Sequence, residues 1–393
     1  MSTDNCDVCI AGGGVVGSAA AYFLAADPGF DGRVVVLEPD PAYREAATAR
    51  SAGSVRQQFS TPLNIAISQF AVRFLRNIDH YLAVDGAVPD VGFHEGGYLF
   101  LADEDLVEAR RSEYATAVGC GADVTWLTPA ELAERFPWMN TMDLEGGTLG
   151  LSGEGWLDPY GLLQAFRAKA RALGVEYRRD RVSAVEVASG RVAAVQTGAG
   201  DRLGCGWLVN AAGIRSRDVA ALAGVDLPVH PRKRFVFVFD AAEHAPGLPL
   251  TVLPQGIYVR PEGAQYITGY SPPPGSDPDC DDLEVDYTVF DEILWPALAE
   301  RIRPFEGIRM VNAWAGHYDV HPLDHNAILG PHPERPNLLL ASGFSGHGLQ
   351  QAPAVGRGLA EQVIHGGWSS LDLSPLGFER VLAGEPLAEG KVV

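Results

Sequence analysis

Residues 7–40 read DVCIAGGGVVGSAAAYFLAADPGFDGRVVVLEPD, and this stretch decides the fold. An apolar strand-like run leads into Gly12, Gly14 and Gly17, which have G-x-G-x-x-G spacing, and a second apolar run ends in Glu38. In this motif the first glycine permits a tight turn, the second lets a pyrophosphate approach the backbone, and the third lets the helix pack closely on the strand. The helix N-terminus attracts phosphate, and Glu38 can accept hydrogen bonds from a ribose. The stretch therefore predicts a dinucleotide-binding β-α-β unit.

Size and charge narrow the class of protein. A chain of 393 residues that is 47% hydrophobic and 20% charged predicts a globular protein with more than one domain. A formal charge of −20 argues against nucleic acid or an anionic membrane surface as a partner. The polar start, MSTDNCDV, and the short apolar run after Gly17 predict a cytoplasmic protein without membrane insertion.

Two patterns of cysteine or histidine residues have the spacing of metal ligands, but their surroundings argue against metal binding. Cys6 and Cys9 form a lone C-x-x-C without a second pair, which argues against a zinc site. His317, His321 and His325 have i, i+4, i+8 spacing, but Gly316 and Pro322 argue against the helix that a metal face would need. We therefore expect no metal.

An acidic stretch, residues 277–286, resembles a calcium loop in composition only. Asp282 occupies the position of the required glycine, and Thr288 stands where a bidentate glutamate is needed. The pattern favours a solvated acidic loop. The basic triplet 232–234 fits the entrance of a solvated strand as well as it fits any site.

Three further segments narrow the cofactor to FAD by resemblance. Residues 207–213 (WLVNAAG) resemble a strand and turn late in flavoproteins that have two dinucleotide-binding motifs, and residues 337–348 (NLLLASGFSGHG) resemble a motif that wraps the isoalloxazine. Residues 312–330 (NAWAGHYDVHPLDHNAILG) resemble the W-A-G…D…G segment just before it. Together with SAGSVRQQFS near the start, these motifs resemble the D-amino-acid-oxidase family, which includes glycine oxidase and sarcosine oxidase, over the whole chain.

The resemblance implies an α/β fold, a two-dinucleotide-binding-domain flavoprotein with a parallel-sheet FAD domain and a strand-rich substrate domain. Because dinucleotide-domain signals lie at both ends and in the middle of the chain, that domain should be discontinuous. The expected FAD-binding domain comprises residues 1–80, 150–220 and 325–393, and the expected substrate domain comprises residues 81–149 and 221–324.

The expected FAD site follows from the fingerprint and the resembling segments. A glycine-rich turn that opens a helix directs N–H groups toward the negative charge of the reduced flavin. The residues expected to bind FAD are Gly12, Gly14, Val15, Val16, Gly17, Glu38, Pro39, Arg50, Ser51, Gly53, Val182, Ala211, Ala212, Gly213, Gly343, Ser345, Gly346, His347, Gly348 and Leu349. Attachment should be non-covalent, because residues 45–53 (EAATARSAG) have no histidine and the late part of the chain has no cysteine. A tether through His317 stays open.

Four residues are candidates for catalysis. Arg56 falls on a basic position near the flavin in the family pattern, and Tyr258 in GIYVRPEG falls on an active-site tyrosine. Arg260 lies two residues further along the same strand and should share a face with Tyr258, as an anchor for a carboxylate. His317 follows Trp-Ala-Gly and is expected to project into the active site.

The chain departs from the sarcosine-oxidase branch at three positions. Phe59 and Gln350 replace expected basic residues, and Ile267 falls where an oxygen-activating lysine is expected. Sarcosine is therefore not the expected substrate, and rapid reaction with oxygen is not expected.

The motifs predict an FAD-dependent enzyme that oxidises the C–N bond of an amino acid or secondary amine. Hydride would pass from the α-carbon to flavin N5 and leave an imine. The partner is a small-molecule amine or amino acid, and oxygen, a quinone or a protein stays open as electron acceptor. Three alternatives remain: a nicotinamide-dependent dehydrogenase, a flavoprotein acting on a C–C or C–O bond, and a non-catalytic assembly protein stabilised by FAD.

Overall fold

The computed structural model describes residues 4–273, 275–387 and 389, which form an α/β protein with two large sheets. The strands are β1 (Asp4–Ala11), β2 (Val34–Leu37), β3 (Ser54–Val55), β4 (Tyr98–Ala102), β5 (Val124–Leu127), β6 (Gly146–Gly150), β7 (Gly155–Trp156), β8 (Glu176–Arg178), β9 (Val182–Ala188), β10 (Arg191–Thr197), β11 (Arg202–Asn210), β12 (His230–Ala241), β13 (Leu250–Val252), β14 (Ile257–Glu262), β15 (Gln265–Tyr270), β16 (Ile308–Val320), β17 (Ile328–His332) and β18 (Arg335–Ser342). The helices are α1 (Val15–Ala26), α2 (Pro62–Arg76), α3 (Ile78–Leu82), α4 (Val107–Gly119), α5 (Pro129–Arg135), α6 (Pro159–Ala172), α7 (Ser216–Leu222), α8 (Trp295–Arg301), α9 (Gly348–His365) and α10 (Phe378–Ala383).

The first sheet brings together the carboxyl ends of its central strands. Its order is β17-β18-β11-β1-β2-β8, with the β9–β10 hairpin joined to β11. β1 runs parallel to both β2 and β11, and its last residue, Ala11, lies in register with Leu37 and Asn210. The loops that follow these three strands therefore share one edge of the sheet, where an open α/β sheet binds its ligand.

Helix packing fixes this edge in place. α1 packs against both α6 and α9. Its Ala19, Ala20 and Ala21 are fully buried, as expected for a helix that is apolar on all sides. The fingerprint loop is consequently attached to a helix that lies within the core.

The second sheet is mostly antiparallel, in the order β16-β12-β15-β14-β13-β4-β6-β5. One face packs on an aromatic core that includes Phe237, Phe239, Phe290 and Phe305. Tyr98 and Phe100 of β4 belong to a separate cluster, on which Tyr258 also packs. This sheet supplies the aromatic side of the site described below.

Two helix starts carry clear local signals in the sequence. α2 begins at Pro62 with Thr61 as its N-cap, and α5 begins at Pro129 behind a capping box formed by Thr128 and Glu131. A π-helical turn, Phe290–Leu294, leads directly into α8.

The structure also bears on the expectations about metal binding and membrane insertion. His317 lies within β16, so its spacing to His321 and His325 does not place the three on a helix face. Among the described residues, no cluster of three or more His, Cys, Asp or Glu side chains could hold a metal ion. No helix in the described part of the chain is both long and apolar enough to cross a membrane.

Candidate active site

A cavity of about 820 Å³ opens where β1, β2 and β11 end. Its wall includes the loop after β1, the loop after β2 and the start of α9. The predicted site residues that line it are Gly12, Gly14, Val15, Val16, Glu38, Pro39, Ser51, Val182, Ala211, Ala212, Gly213, His317, Gly346, Gly348 and Leu349. The structure thus brings residues from both ends and the middle of the chain to one elongated cavity.

Glycine is needed at the three fingerprint positions for different physical reasons. Gly12 has φ +96°, and a Cβ there would lie 2.4 Å from the Ala211 carbonyl oxygen. A Cβ at Gly17 would lie 2.0 Å from the Gly12 carbonyl oxygen. At Gly14, by contrast, the nearest protein atom is Thr48 Oγ1 at 3.6 Å. The protein itself requires glycine at positions 12 and 17, whereas glycine at 14 leaves room in the cavity, as a bound pyrophosphate needs.

The N-terminus of α1 offers its positive end to the cavity. Its N-cap, Gly14, provides no side-chain cap, and no acidic residue lies in the first turn. The Val15 N–H donates to Thr48 Oγ1 at 3.3 Å. With little else to neutralise it, this helix end favours an anionic ligand.

Glu38 is fixed by the loops that it joins. One carboxylate oxygen accepts the Gly13 N–H at 2.9 Å, and the other accepts the Asp40 N–H at 2.8 Å. Burial raises the pKa of Glu38, while these two hydrogen bonds act against that shift. A carboxylate held in this way lines the cavity ready to accept further hydrogen bonds, as ribose binding requires.

Replacement of Glu38 by alanine should weaken FAD binding roughly ten- to a hundredfold, because hydrogen bonds to a charged acceptor contribute ~1.5–3 kcal/mol. Titration of the apoprotein with FAD, followed by fluorescence quenching, measures the change. Glu38→Gln is the matched control, since its amide oxygen can still accept the Gly13 N–H; it should lose less affinity. An unchanged dissociation constant for Glu38→Ala contradicts the ribose assignment.

The remaining predicted FAD residues do not line the large cavity, although Arg50 lines the smaller one described below. Arg50 donates to the carbonyl oxygens of Arg44 at 2.7 Å and Ala315 at 2.8 Å, which ties the FAD-side loop to β16. Asp319 accepts the Gly343 N–H at 2.8 Å and so holds the glycine-rich turn before α9. Burial raises the pKa of Asp319 to about 6. The predicted residues that do not line the cavity are Gly17, Arg50, Gly53, Gly343, Ser345 and His347.

Arg56 lies beside the glycine-rich turn and has no acidic partner. Its side chain is buried, and one guanidinium nitrogen lies 2.9 Å from Nε2 of His347. Because arginine can only donate, Nε2 of His347 is the acceptor and the ring is neutral. Burial and the charge of Arg56 hold the pKa of His347 well below its ordinary value. Rings of Phe59 and Phe100 face the guanidinium at 4.4 and 5.2 Å.

No carboxylate among the described residues lies within 4.0 Å of the Arg56 guanidinium. Burying a cation without a counter-ion costs free energy, and a bound anion would offset that cost. Arg56 does not itself line the large cavity. Its guanidinium bonds to the side chain of His347, and the two sequence neighbours of His347, Gly346 and Gly348, line that cavity.

Tyr258 and His317 meet at a second, water-sized cavity of about 30 Å³. His317 and Tyr318 line both cavities, so the two adjoin. Nε2 of His317 lies 3.0 Å from the Asp282 carbonyl oxygen, which can only accept. The proton of the neutral ring is therefore on Nε2, and Nδ1 carries the lone pair. Burial lowers the pKa of His317, so the ring is neutral at neutral pH.

The interpretation of Arg260 as a carboxylate anchor is corrected by its contacts. Nε and Nη2 donate to the Ala52 carbonyl oxygen at 3.1 and 2.8 Å, and Nη1 donates to the Pro261 carbonyl at 2.8 Å and to Glu262. Every guanidinium nitrogen has an acceptor. Arg260 ties β14 to the segment after Ser51, and it is not free for a substrate.

The acidic segment and the basic triplet pair with each other at the edge of the site. Asp277 makes two hydrogen bonds of 2.8 Å to Arg234, and Asp282 lies 2.6 Å from the Lys233 ammonium. Asp281 lies 3.6 Å from Arg215, and both line the large cavity. The segment is solvated, as predicted, but it is anchored by β12 and forms part of the cavity rim.

Two site residues carried no signal in the sequence. Thr48 lines the cavity but was not singled out, whereas Tyr318 and Asp319, which also line it, lie within the segment 312–330 quoted above. Glu154, wholly buried beside the Arg56 segment, was not singled out either. A lone threonine or acid between motifs has no spacing by which to identify it.

Comparison with known proteins places the chain among flavoproteins. A model of the family described as FAD dependent oxidoreductase matches residues 7–362. A protein of Xenopus laevis, FAD-dependent oxidoreductase domain-containing protein 1, is 41% identical over 432 residues, which cover 100% of this chain and 86% of that protein. Mouse mitochondrial sarcosine dehydrogenase is 27% identical over 382 residues, covering 92% of this chain and 40% of that protein.

Solved structures share the fold. L-Proline dehydrogenase from P. horikoshii has a TM-score of 0.86 at 24% identity, covering 98% of this chain and 100% of that chain. Glycine oxidase from Geobacillus kaustophilus has a TM-score of 0.81 at 24% identity, covering 95% and 98%. The likeness supports the α/β architecture described above.

Proposed function

Because the chain belongs to the D-amino-acid-oxidase family of FAD-dependent oxidoreductases, we propose that it oxidises the C–N bond of a small amino acid or secondary amine. The product is an imine, which water hydrolyses to a carbonyl compound and an amine or ammonia. The names of two relatives support an amine substrate, sarcosine dehydrogenase and dimethylglycine dehydrogenase, which are 27% and 26% identical to this chain.

The chain's own residues fit FAD. The first turn of α1 and Gly14 would hold the pyrophosphate, Glu38 the ribose, and the turn before α9 the flavin end, since all of them line one cavity. When bound, FAD supplies a two-electron acceptor for the hydride that leaves the carbon next to nitrogen.

The environment of Arg56 is the observation that supports this proposal most strongly. A buried guanidinium that has no carboxylate within hydrogen-bonding distance, and that bonds to His347 in the turn at the flavin end of the cavity, is suited to a substrate that brings its own carboxylate. The surrounding aromatic rings of Phe59 and Phe100 exclude water and strengthen this charge interaction. An amino acid is therefore favoured over a simple amine.

His317 lines the cavity and can orient the substrate nitrogen. An amine gives up hydride from its neighbouring carbon only when its nitrogen is neutral and has a lone pair. Nδ1 of the neutral His317 ring, whose lowered pKa makes it a weak base, can accept a hydrogen bond from that nitrogen, while Nε2–H stays bonded to the Asp282 carbonyl. Tyr258, at the adjoining cavity, is kept protonated because burial raises its pKa, and its hydroxyl can orient the substrate.

We expect slow reaction of the reduced protein with oxygen. Ile267, at the position where an oxygen-activating lysine was expected, is buried in one apolar cluster with Val236 and Val238. Stopped-flow mixing of photoreduced protein with oxygenated buffer measures the rate. A dye, quinone or protein acceptor should be preferred. Reoxidation near ~10⁵ M⁻¹s⁻¹, well within the range of enzyme efficiencies, contradicts this prediction.

A product assay tests the proposed function. The protein is incubated with a panel of amino acids, N-methylated amino acids and amines, with a redox dye as acceptor, and carbonyl product is trapped as its hydrazone. We expect turnover of at least one amino acid and none of its decarboxylated counterpart. Turnover confined to alcohols or C–C substrates supports a different flavoenzyme, and no turnover of any kind supports a non-catalytic role.

A further inference from the structure

We propose that Glu154 is a positioning residue for Arg56, whose buried carboxylate fixes the backbone of the segment that carries the arginine. The inference rests on the proposed function, in which Arg56 binds the substrate carboxylate. It adds a residue from a distant loop that touches neither the large cavity nor the arginine side chain.

The carboxylate of Glu154 is used entirely by the two residues after Arg56. Oε1 accepts the backbone N–H groups of Gln57 at 2.6 Å and Gln58 at 3.1 Å. Oε2 accepts the side-chain amide of Gln58 at 2.7 Å. Three donors from two consecutive residues therefore converge on one carboxylate, which fixes both the position and the direction of this turn.

The carboxylate of Glu154 is wholly buried, with 0% of the residue exposed, and no cation among the described residues lies within 4.0 Å of it. Removing a carboxylate from water is costly unless hydrogen bonds compensate. Burial raises the pKa of Glu154 to about 7, while its hydrogen bonds and the charge of Arg56 act in the opposite direction. Gly150 makes the space, since a Cβ there would lie 1.7 Å from Oε2.

Arg56 is held from the other side by the start of α9. Its backbone N–H donates to Gln350 Oε1 at 2.8 Å, and its guanidinium donates to His347. The N–H groups of Arg56, Gln57 and Gln58 are thus all taken by two side chains from opposite directions. Gln350 and Glu154 together fix the backbone that carries the guanidinium near the flavin end of the cavity. Of these two side chains, only Glu154 can carry a charge.

The chain contains a control for a purely structural role. Glu361 is also buried, and its carboxylate accepts two consecutive backbone N–H groups, those of Ser369 at 2.8 Å and Ser370 at 3.1 Å. Unlike Glu154, it also has a cation nearby, Nε of Arg357 at 3.8 Å. It also accepts the Ser370 hydroxyl. None of these residues lines either cavity. Loss of Glu361 should therefore cost stability without affecting the binding of a carboxylate.

The test is binding of benzoate to the FAD-loaded protein at pH 8.5, read from the flavin absorption spectrum, with benzamide as the uncharged probe. Glu154→Leu should raise the benzoate dissociation constant about tenfold or more, since a misplacement near 1 Å can cost up to about a hundredfold. Glu154→Gln keeps an acceptor for the backbone N–H groups and should stay within about threefold. Glu361→Leu should match the parent protein in benzoate affinity, and its Tm should fall by a similar amount to that of Glu154→Leu.

The outcomes separate this inference from the proposed function. If Arg56→Leu loses benzoate binding but Glu154→Leu retains it, the role of Glu154 is overturned and the carboxylate site stands. If Arg56→Leu retains binding, or the parent protein binds no benzoate, the carboxylate site is wrong and the role of Glu154 fails with it. Should Glu154→Leu not fold, Glu154→Asp decides, because the shorter carboxylate must weaken benzoate binding and an unchanged affinity overturns the inference.

Discussion

Replacement of Arg56 by leucine should raise the amino-acid concentration needed for half-maximal flavin reduction by roughly 30- to 4000-fold. This range corresponds to about 2–5 kcal/mol, the cost of truncating one partner of a buried, hydrogen-bonded charge pair. The structure supports the upper part of the range, because no carboxylate among the described residues competes for the guanidinium. Anaerobic stopped-flow reduction at increasing substrate concentration gives the value directly.

Two variants make the Arg56 result specific. Arg56→Lys keeps the charge but loses the planar pair of donors, so it should fall between the parent and Arg56→Leu. Arg110→Leu also removes a buried arginine that faces Phe100, at 4.3 Å, but this one is paired with Glu113. It should leave the half-saturating concentration unchanged. Equal effects of the two leucine variants would show that lost packing, and not carboxylate binding, explains the result.

A second large effect is expected in the fingerprint loop, where two glycines should respond differently. A Cβ at Gly17 would lie 2.0 Å from the Gly12 carbonyl oxygen, so Gly17→Ala must separate α1 from the loop. We expect a loss of several kcal/mol in the free energy of unfolding, in the range of severe core mutations, together with loss of FAD binding. Gly14→Ala meets no protein atom closer than 3.6 Å and should keep the stability of the apoprotein while losing FAD affinity.

Denaturant unfolding of the two apoproteins and FAD titration check this prediction. The informative comparison is between stability and affinity in the same variant. Gly14→Ala binding FAD as tightly as the parent protein contradicts the placement of the pyrophosphate beside Gly14. A fully stable Gly17→Ala contradicts the close packing of α1 on the loop.

The fold was predictable where its signals are local. The fingerprint from Gly12 to Glu38, the capping of α2 by Thr61 and the capping box at Thr128 each lie within a few residues, and short-range geometry decides them. The α/β class and the FAD cofactor followed from such segments and from the family resemblance. These features needed no knowledge of which distant residues meet.

The site was less predictable, because its decisive contacts join distant parts of the chain. Strand alternation placed Arg260 correctly on β14, but nothing near it in the sequence indicates that the Ala52 carbonyl would occupy its guanidinium. Glu154 meets the Arg56 segment only after β7 pairs with β3. The pairing of the basic triplet with the acidic segment likewise depends on the path of β12 beside the cavity rim.

Two arginines show which distinction could be drawn only from the structure. Arg56 and Arg260 look alike in sequence, as single arginines that each follow a valine. The structure separates them by their partners: carbonyl and carboxylate acceptors surround Arg260, whereas the Arg56 side chain has a neutral histidine and aromatic rings. Only the second arrangement leaves a guanidinium without a directly bonded carboxylate, which a ligand can supply.

The most direct test of the central claim is anaerobic mixing of the FAD-loaded protein with amino acids and amines while the flavin absorbance is followed. We expect at least one amino acid to bleach the flavin, its α-deuterated form to do so more slowly, and its decarboxylated counterpart to do so far less well. If dithionite reduces the flavin but no amino acid or amine does, oxidation of a C–N bond is not the function of this protein.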